Sequence, residues 1–203
     1  MEKINKVSFA SIVLNEEKYI ERMLESVVGK VDEIVVVDGG STDNTLRILK
    51  DYPQVKVVSK VFNYHFGDQR NFAIQQTKYP WVLMLDADEY IEEDFWKILP
   101  DLINQKEYDA FKFKRKNFID EVFDEKSYPD IQVRLFRRYC RWIYPVHEEL
   151  VGWKSSKILE THIIHKKDSV RYQQRNKMFS TIGQIFKNDL PEMLVQSKNV
   201  SSI

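Results

Sequence analysis

One cysteine, Cys140, stands in 203 residues, so no disulfide framework and no cysteine-built metal site forms within one chain. A reducing compartment is the simplest setting for such a protein. An excess charge of either sign is missing as well. The 31 Lys and Arg offset the 31 Asp and Glu, for a formal charge of zero, which argues against a general nucleic-acid binder, because that function needs a basic surplus. No window approaches the roughly 20 consecutive apolar residues of a membrane span. The start, Met1-Glu2-Lys3-Ile4-Asn5-Lys6, is charged and has no apolar signal-peptide core. The expected location is the cytoplasm, with docking at the inner face of a membrane left open. Repeats, low-complexity stretches and linkers are also lacking, so residues 1–203 are expected to form one domain in two halves, 1–105 and 106–203.

What is present is 43% apolar and 13% aromatic residues, enough for a sizeable core. In the first half, strand and helix signals alternate. Val7 to Leu14, Glu33 to Val37, Val55 to Val61 and Trp81 to Leu85 are apolar and read as strands. Glu16 to Val28 carries Ile20, Met23, Leu24, Val27 and Val28 at helical spacing, and Asp68 to Thr77 and Glu92 to Ile103 also read as helices, although Pro100 weakens the end of the last. Ser41-Thr42-Asp43 offers helix caps before Leu46, Ile48 and Leu49. Such alternation implies βαβ units on a mostly parallel sheet, and uninterrupted apolar strands imply burial on both faces. In the second half, Ala110 to Phe118 and Gln132 to Phe136 read as longer antiparallel strands and Val170 to Phe186 as a helix.

Ligands of open α/β sheets bind beyond the carboxyl ends of the strands. Those ends are Leu14-Asn15-Glu16, Asp38-Gly39-Gly40-Ser41 and Asp86-Ala87-Asp88-Glu89. Carboxylates crowded at one edge repel unless a cation or hydrogen-bond donors satisfy them. Asp86 and Asp88, two residues apart after a strand, can reach a common ligand, and their hard oxygens suit magnesium or manganese; the plainer reading is acidic residues at the start of the next helix. The glycine pair after Asp38 allows positive φ and close approach of a ligand to the backbone, against an ordinary strand-to-helix turn.

Together the segments Ser11-Ile12-Val13-Leu14-Asn15-Glu16, Val35 to Thr45, Gln69-Arg70-Asn71 and Leu83 to Glu89 resemble, in order and spacing, family 2 glycosyltransferases of the GT-A fold. The resemblance implies an α/β, Rossmann-like, mostly parallel central sheet flanked by helices, with a small antiparallel acceptor-side lobe. The first half would then bind the nucleotide-sugar and the second the acceptor. It also implies that Asp38 contacts the base, commonly uracil, that Asp86 lies near the ribose, and that Asp88 binds the divalent metal, manganese or magnesium, at the donor diphosphate. Leu14, Asn15 and Glu16 would line the nucleotide pocket, with Arg70 beside the nucleotide or its phosphates; the plainer reading of Arg70 is a helix-surface arginine.

The second half is similar more loosely to bacterial members that build cell-surface glycans such as lipopolysaccharide core, through Arg134-Leu135-Phe136-Arg137-Arg138, Val146-His147-Glu148 and Ile163-Ile164-His165. By this resemblance Glu148 is the candidate base, with Glu149 adjoining it, and His165 is a candidate metal or phosphate ligand; His147 and His162 are read as structural. The implied reaction is transfer of a sugar from a nucleotide-diphosphate sugar, a UDP-sugar by preference, to a hydroxyl of a saccharide or lipid-linked acceptor, with inversion. The basic stretches Lys112 to Lys116 and Arg134, Arg137, Arg138 and Arg141 read as solvated strand faces, or else as contacts for an anionic acceptor or membrane.

Three rival readings differ in one feature each. A phosphatase of the haloacid dehalogenase type needs an aspartate after the first strand, where Asn15-Glu16 stands. A nucleotidyltransferase needs a glycine-rich basic loop there, and Asn15-Glu16-Glu17-Lys18 has no glycine. A non-catalytic nucleotide-sugar-binding domain differs only in lacking turnover, and the polar end Ser197 to Ile203 reads as a frayed tail or a cut.

Overall fold

The computed structural model describes residues 5–186; the tail Ser197 to Ile203 and the first four residues lie outside that range. Strands β1 (Val7–Val13), β2 (Glu33–Asp38), β3 (Val55–Ser59) and β4 (Trp81–Met84) are parallel, in the order β3-β2-β1-β4. Helices α1 (Ile20–Val27), α2 (Thr45–Lys50) and α3 (Phe66–Gln76) fall between them. The alternation explains the apolar runs. Phe9, Trp81, Leu83 and Val36 pack with α1, α2 and α4 (Asp94–Asn104), while Ala10, Val35, Val82 and Met84 pack with α3. Successive side chains point to opposite faces, so a strand covered on both sides must be apolar throughout. Each such buried side chain stabilises the fold by about 1.5–3 kcal/mol.

The second half continues the same sheet. β4 pairs antiparallel with β8 (Asp130–Arg137), which pairs antiparallel with β6 (Ala110–Ile119), as the sequence led us to expect for those two segments. β6 carries a short hairpin partner, β7 (Val122–Phe123). Beyond β6 runs β11 (Ser156–Lys167), a 12-residue strand parallel to it, and β5 (Glu89–Ile91) closes the row antiparallel to β11. A separate antiparallel pair, β9 (Arg141–Ile143) and β10 (Glu149–Val151), forms the small second sheet. Helix α5 (Ser169–Ile185) follows β11.

Several boundaries shift for local reasons. Residues 16–19 form a turn in which the Glu16 carbonyl accepts the amides of Tyr19 and Ile20, so α1 starts at Ile20. Of the three expected caps of α2, only Asp43 serves its first turn, accepting the Thr45 amide; the Ser41 hydroxyl is taken by the Asn15 amide. Pro100 lies inside α4 without ending it, and the Asn104 side-chain amide donates to the Pro100 carbonyl.

Candidate active site

The carboxyl ends of β1, β2 and β4 open onto a cleft of about 280 Å³, lined in part by Leu14, Asn15, Glu16, Gly39, Arg70 and Asp86. Its wall is stitched by Asn15, which takes a left-handed backbone (φ 57°) while its side-chain oxygen accepts the Thr42 amide at 2.7 Å. Gly40 supplies the positive φ expected of the pair, at 104°. Gly39 serves close packing instead, since a Cβ there would sit 3.2 Å from both Phe62 Cβ and the Val13 carbonyl oxygen. Asp38 is buried, and its carboxylate accepts the amides of Gly40 at 2.9 Å and Ser41 at 3.2 Å. Asp38 thereby holds the turn that borders the cleft.

Asp86, Asp88 and Glu89 follow β4 and are all buried. Arg70, on α3, donates to Asp86 Oδ1 through Nη2 at 2.7 Å and to Glu148 Oε1 through Nε at 3.0 Å. Arg134, on β8, grips both oxygens of Glu89 at 2.8 Å and reaches Asp86 Oδ2 at 3.2 Å. Arg115 joins Glu89 to Asp130. The solvated-face reading of the basic stretches does not cover these two residues. Arg134 and Arg115 are counter-charges of the acidic cluster rather than a solvated face, and both also line the second groove described below. Burial alone would raise the pKa of Asp86 and Glu89, but Arg70 and Arg134 hold Asp86 well below the ordinary carboxylate range, and Arg134 with Arg115 holds Glu89 below it.

His165 sits within the sheet, register partner of Asn117 on β6 and of Glu89 on β5. Its Nε2 lies 3.2 Å from Asp88 Oδ2, and its Nδ1 lies 2.6 Å from Asn117 Oδ1. The Asn117 amide nitrogen donates to Asp130 at 3.0 Å, which leaves its oxygen to accept. His165 Nδ1 therefore donates to Asn117, and Nε2 faces the Asp88 carboxylate. Burial would raise Asp88, yet His165 and Arg175 keep its carboxyl depressed.

A second groove of about 600 Å³ shares Arg70, Asp86 and Arg175 with the cleft and is lined by Trp142, Glu148, Glu149 and Trp153 among others. Glu148 is brought there by a tight fit of loop to helix. The Phe66 and Gly67 amides at the start of α3 donate to the carbonyls of Pro145 and Tyr144. A Cβ on Gly67 would lie 2.7 Å from that Tyr144 oxygen. Asn71 on α3 clamps the Trp142 backbone with two hydrogen bonds of 2.8 Å. Glu149 is exposed on β10 and Glu148 is half-buried against Arg70. His147 is exposed beside Phe179, and His162 contacts Tyr128 and Glu92 away from this cluster.

Helix α5 crosses both cavities. Arg171 pairs with Glu16 and lies 3.7 Å from Asp88; Arg175 lies 3.6 Å from Asp88 and 3.9 Å from Asp86. Burial pushes the Glu16 carboxyl up to about 8, against the pull of Arg171. Neither arginine is evident from the residue types alone, although their spacing of four sets both on one helical face. Among the described residues, nine buried side-chain atoms lack a well-formed hydrogen bond, and five of them belong to this cluster: Glu16 Oε2, Arg70 Nη1, Asp88 Oδ2, His165 Nε2 and Arg171 Nε. Buried polar atoms are normally satisfied, so such a concentration marks a place built for a polar ligand.

Residues 8–177 match the family described as Glycosyl transferase family 2, and the chain belongs to that family. It is 35% identical over 186 residues to an uncharacterized glycosyltransferase of Rickettsia typhi, covering 90% of this chain and 58% of that protein. It is 34% identical over 96 residues to the lipopolysaccharide core biosynthesis glycosyltransferase LpsC of Rhizobium meliloti, covering 45% of this chain and 35% of LpsC. The chain thus spans 58% and 35% of the lengths of these two relatives. Among solved structures, S. aureus TarS 1-349 in complex with UDP-GlcNAc superposes with a TM-score of 0.62 at 23% identity, over 80% of this chain and 58% of that one. At that identity the likeness speaks for the fold. Among the described residues, no helix is long and apolar enough to cross a membrane.

Proposed function

We propose that this chain transfers a sugar from a nucleotide-diphosphate sugar, a UDP-sugar by preference, to a hydroxyl acceptor. The observation that carries the reading is the cluster of five unpartnered buried atoms, donors and acceptors together, beside the junction of the two cavities. A diphosphate accompanied by a cation supplies both signs at once. Leu14, Asn15 and Glu16 line the nucleotide part of the cleft. Asp86 takes the ribose side, and Asp38 acts on the base through the Gly39-Gly40 turn that it holds.

Asp88 and His165 fit a divalent cation, manganese or magnesium. The Nε2 ring nitrogen faces a carboxylate oxygen 3.2 Å away, close to the roughly 3 Å that separates neighbouring ligands of one small ion. Asn117 orients the imidazole from the other side, as an outer partner of a metal-binding histidine does. Among the described residues no group of three or more His, Cys, Asp or Glu converges, so the chain would supply two ligands and the substrate phosphates others. Once bound, the cation would offset the charge that grows on the departing diphosphate.

Glu148 receives the proton of the acceptor hydroxyl, oriented for that task by Arg70. The acceptor oxygen bonds to the anomeric carbon as the bond from that carbon to the diphosphate oxygen breaks, and a single displacement inverts the centre. Because the first cavity holds the donor and the second opens on Glu148, the two reactants meet at Asp86 and Arg70, which line both. Likeness to LpsC supports a saccharide or lipid-linked acceptor in cell-surface glycan synthesis, carried out in the cytoplasm or at the inner membrane face.

The test is nucleoside-diphosphate release by purified protein offered several acceptors, with and without manganese, beside a thermal-shift series of nucleotide sugars. A donor at 100 times its Kd should stabilise the protein by about 2.7 kcal/mol. Asp88→Ala should lose metal-dependent turnover. Wild-type turnover in that variant would sink the proposal.

A further inference from the structure

We infer that Arg175 on α5 binds the donor diphosphate, holding the phosphate that leaves with the nucleotide; this rests on the function proposed above and adds a residue to it. Arg175 lines both the nucleotide cleft and the second groove, a position shared only by Arg70 and Asp86 among the lining residues. The bond that breaks in a transfer between two such cavities must lie at their junction. Of those three, Asp86 repels a phosphate, and Arg70 spends Nη2 on Asp86 and Nε on Glu148, keeping only Nη1 for a ligand.

Arg175 is held to the acids only by long ion pairs. Its guanidinium nitrogens stand 3.6 Å from Asp88 Oδ2 and 3.9 Å from Asp86 Oδ2, near enough for attraction and too far for good hydrogen bonds. Its planar fork therefore keeps its donors available for a bidentate grip on phosphate oxygens. The helix itself is fixed elsewhere. Arg171 pairs with Glu16, and Asp168 caps α5 while bonding Lys18 and Tyr19. One turn after Arg175, Phe179 packs edge-on against Phe66 and His147. These contacts hold the Arg175 backbone over the acids without using its side chain, apart from its stacking 5.2 Å from the Phe179 ring.

In this arrangement Arg171 positions the helix and Arg175 touches substrate. Where Asp88 turns to a cation, the attraction between Arg175 and Asp88 is replaced by one to the phosphates. The interactions of Arg175 then strengthen as charge develops on the leaving group, which is where an interaction raises kcat.

The experiment compares UDP with uridine by calorimetry, in the wild type and in Arg175→Gln and Arg175→Lys, together with steady-state turnover. Arg175→Gln should weaken UDP about 10- to 100-fold and leave uridine within about twofold. Turnover should fall by a similar factor in kcat. Arg175→Lys should recover part of the UDP affinity, since it keeps the charge and loses the fork. The unliganded melting temperature of each variant separates binding loss from unfolding, since among the described residues Arg175 holds the fold only through ion pairs of 3.6 and 3.9 Å and its stacking on Phe179. If Arg175→Gln keeps both the wild-type ratio of UDP to uridine affinity and the wild-type kcat, the assignment of Arg175 is overturned while the site stands. If the wild type itself binds UDP no better than uridine, the diphosphate reading of the site falls with it.

Discussion

Replacing Arg134 with Met tests whether the acidic cluster is held by interior counter-charges. Glu89 has no side-chain exposure and Arg134 only 4%. Glu89 receives four hydrogen bonds: two from Arg134, one from Arg115 and one from the Asp86 amide. Arg134→Met removes two of these four and one of the contacts to Asp86, and it leaves a hydrophobic stem of similar length. Breaking a buried ion pair by removing one partner costs about 3–5 kcal/mol. Because Arg115 still faces Glu89, the lower end applies, about 3 kcal/mol. For a chain of this size that is a fall in melting temperature of about 6–12 °C. Urea unfolding should show a lower midpoint at unchanged slope. The double variant Arg134→Met/Glu89→Gln should be more stable than Arg134→Met alone, since the stranded charge is gone. A loss below about 1 kcal/mol in the single variant, or strictly additive losses in the pair, would refute the reasoning.

Three further outcomes are expected. Glu148→Gln should lower kcat by about 10²- to 10⁴-fold while Glu149→Gln stays within about threefold, read by diphosphate release; equal losses would remove Glu148 from the role of base. Asn117→Ala should weaken manganese affinity about 10- to 100-fold by freeing the His165 ring, and an unchanged manganese titration would mean that the ring is fixed without it. Burial lifts the folded-state Glu16 carboxyl from 4.5 to about 8 despite Arg171, so its stabilising contribution is complete below about pH 4.5 and is lost as pH climbs through 8, at up to about 1.4 kcal/mol per unit. Glu16→Gln should accordingly gain on the wild type as pH rises from 5 to 8, and a constant difference in urea midpoint over that range would contradict the shift.

The first half of the chain was legible because its physics is local. Uninterrupted apolar runs such as Val35-Val36-Val37 and Trp81 to Met84 became strands buried on both faces, and the acids after them fell where open sheets present their ligands. Asp38 shows what that reading leaves out. The residue lies at the strand end as expected, but its carboxylate meets the amides of Gly40 and Ser41 two and three residues ahead. A short acidic side chain before a tight turn has its nearest donors in the backbone, and only coordinates reveal that it uses them.

What stayed hidden depends on pairing between distant segments. His165 meets Asn117 because β6 and β11 lie parallel and in register, and it meets Glu89 because β5 closes the sheet's far edge. A one-residue slip would have turned the imidazole to the other face, and nothing within either strand sets that register. The arginines show the same limit in terms of charge. Glu16, Asp86, Asp88, Glu89 and Glu148 crowd around the junction of the two cavities, and such crowding persists only with counter-charges at hand. Those come from Arg70 on α3, Arg115 on β6, Arg134 on β8, and Arg171 and Arg175 on α5, elements that the fold alone brings together. With the Glu16 carboxyl lifted to about 8 and so mainly protonated near neutral pH, four carboxylates against five guanidiniums leave the protein part of the site with a slight positive excess. On the proposed reading, a donor diphosphate accompanied by a divalent cation adds two charges of each sign and preserves that balance. A diphosphate arriving alone would compete with Asp86 and Asp88 for the same guanidiniums, which is the physical reason to expect cation and donor to bind together.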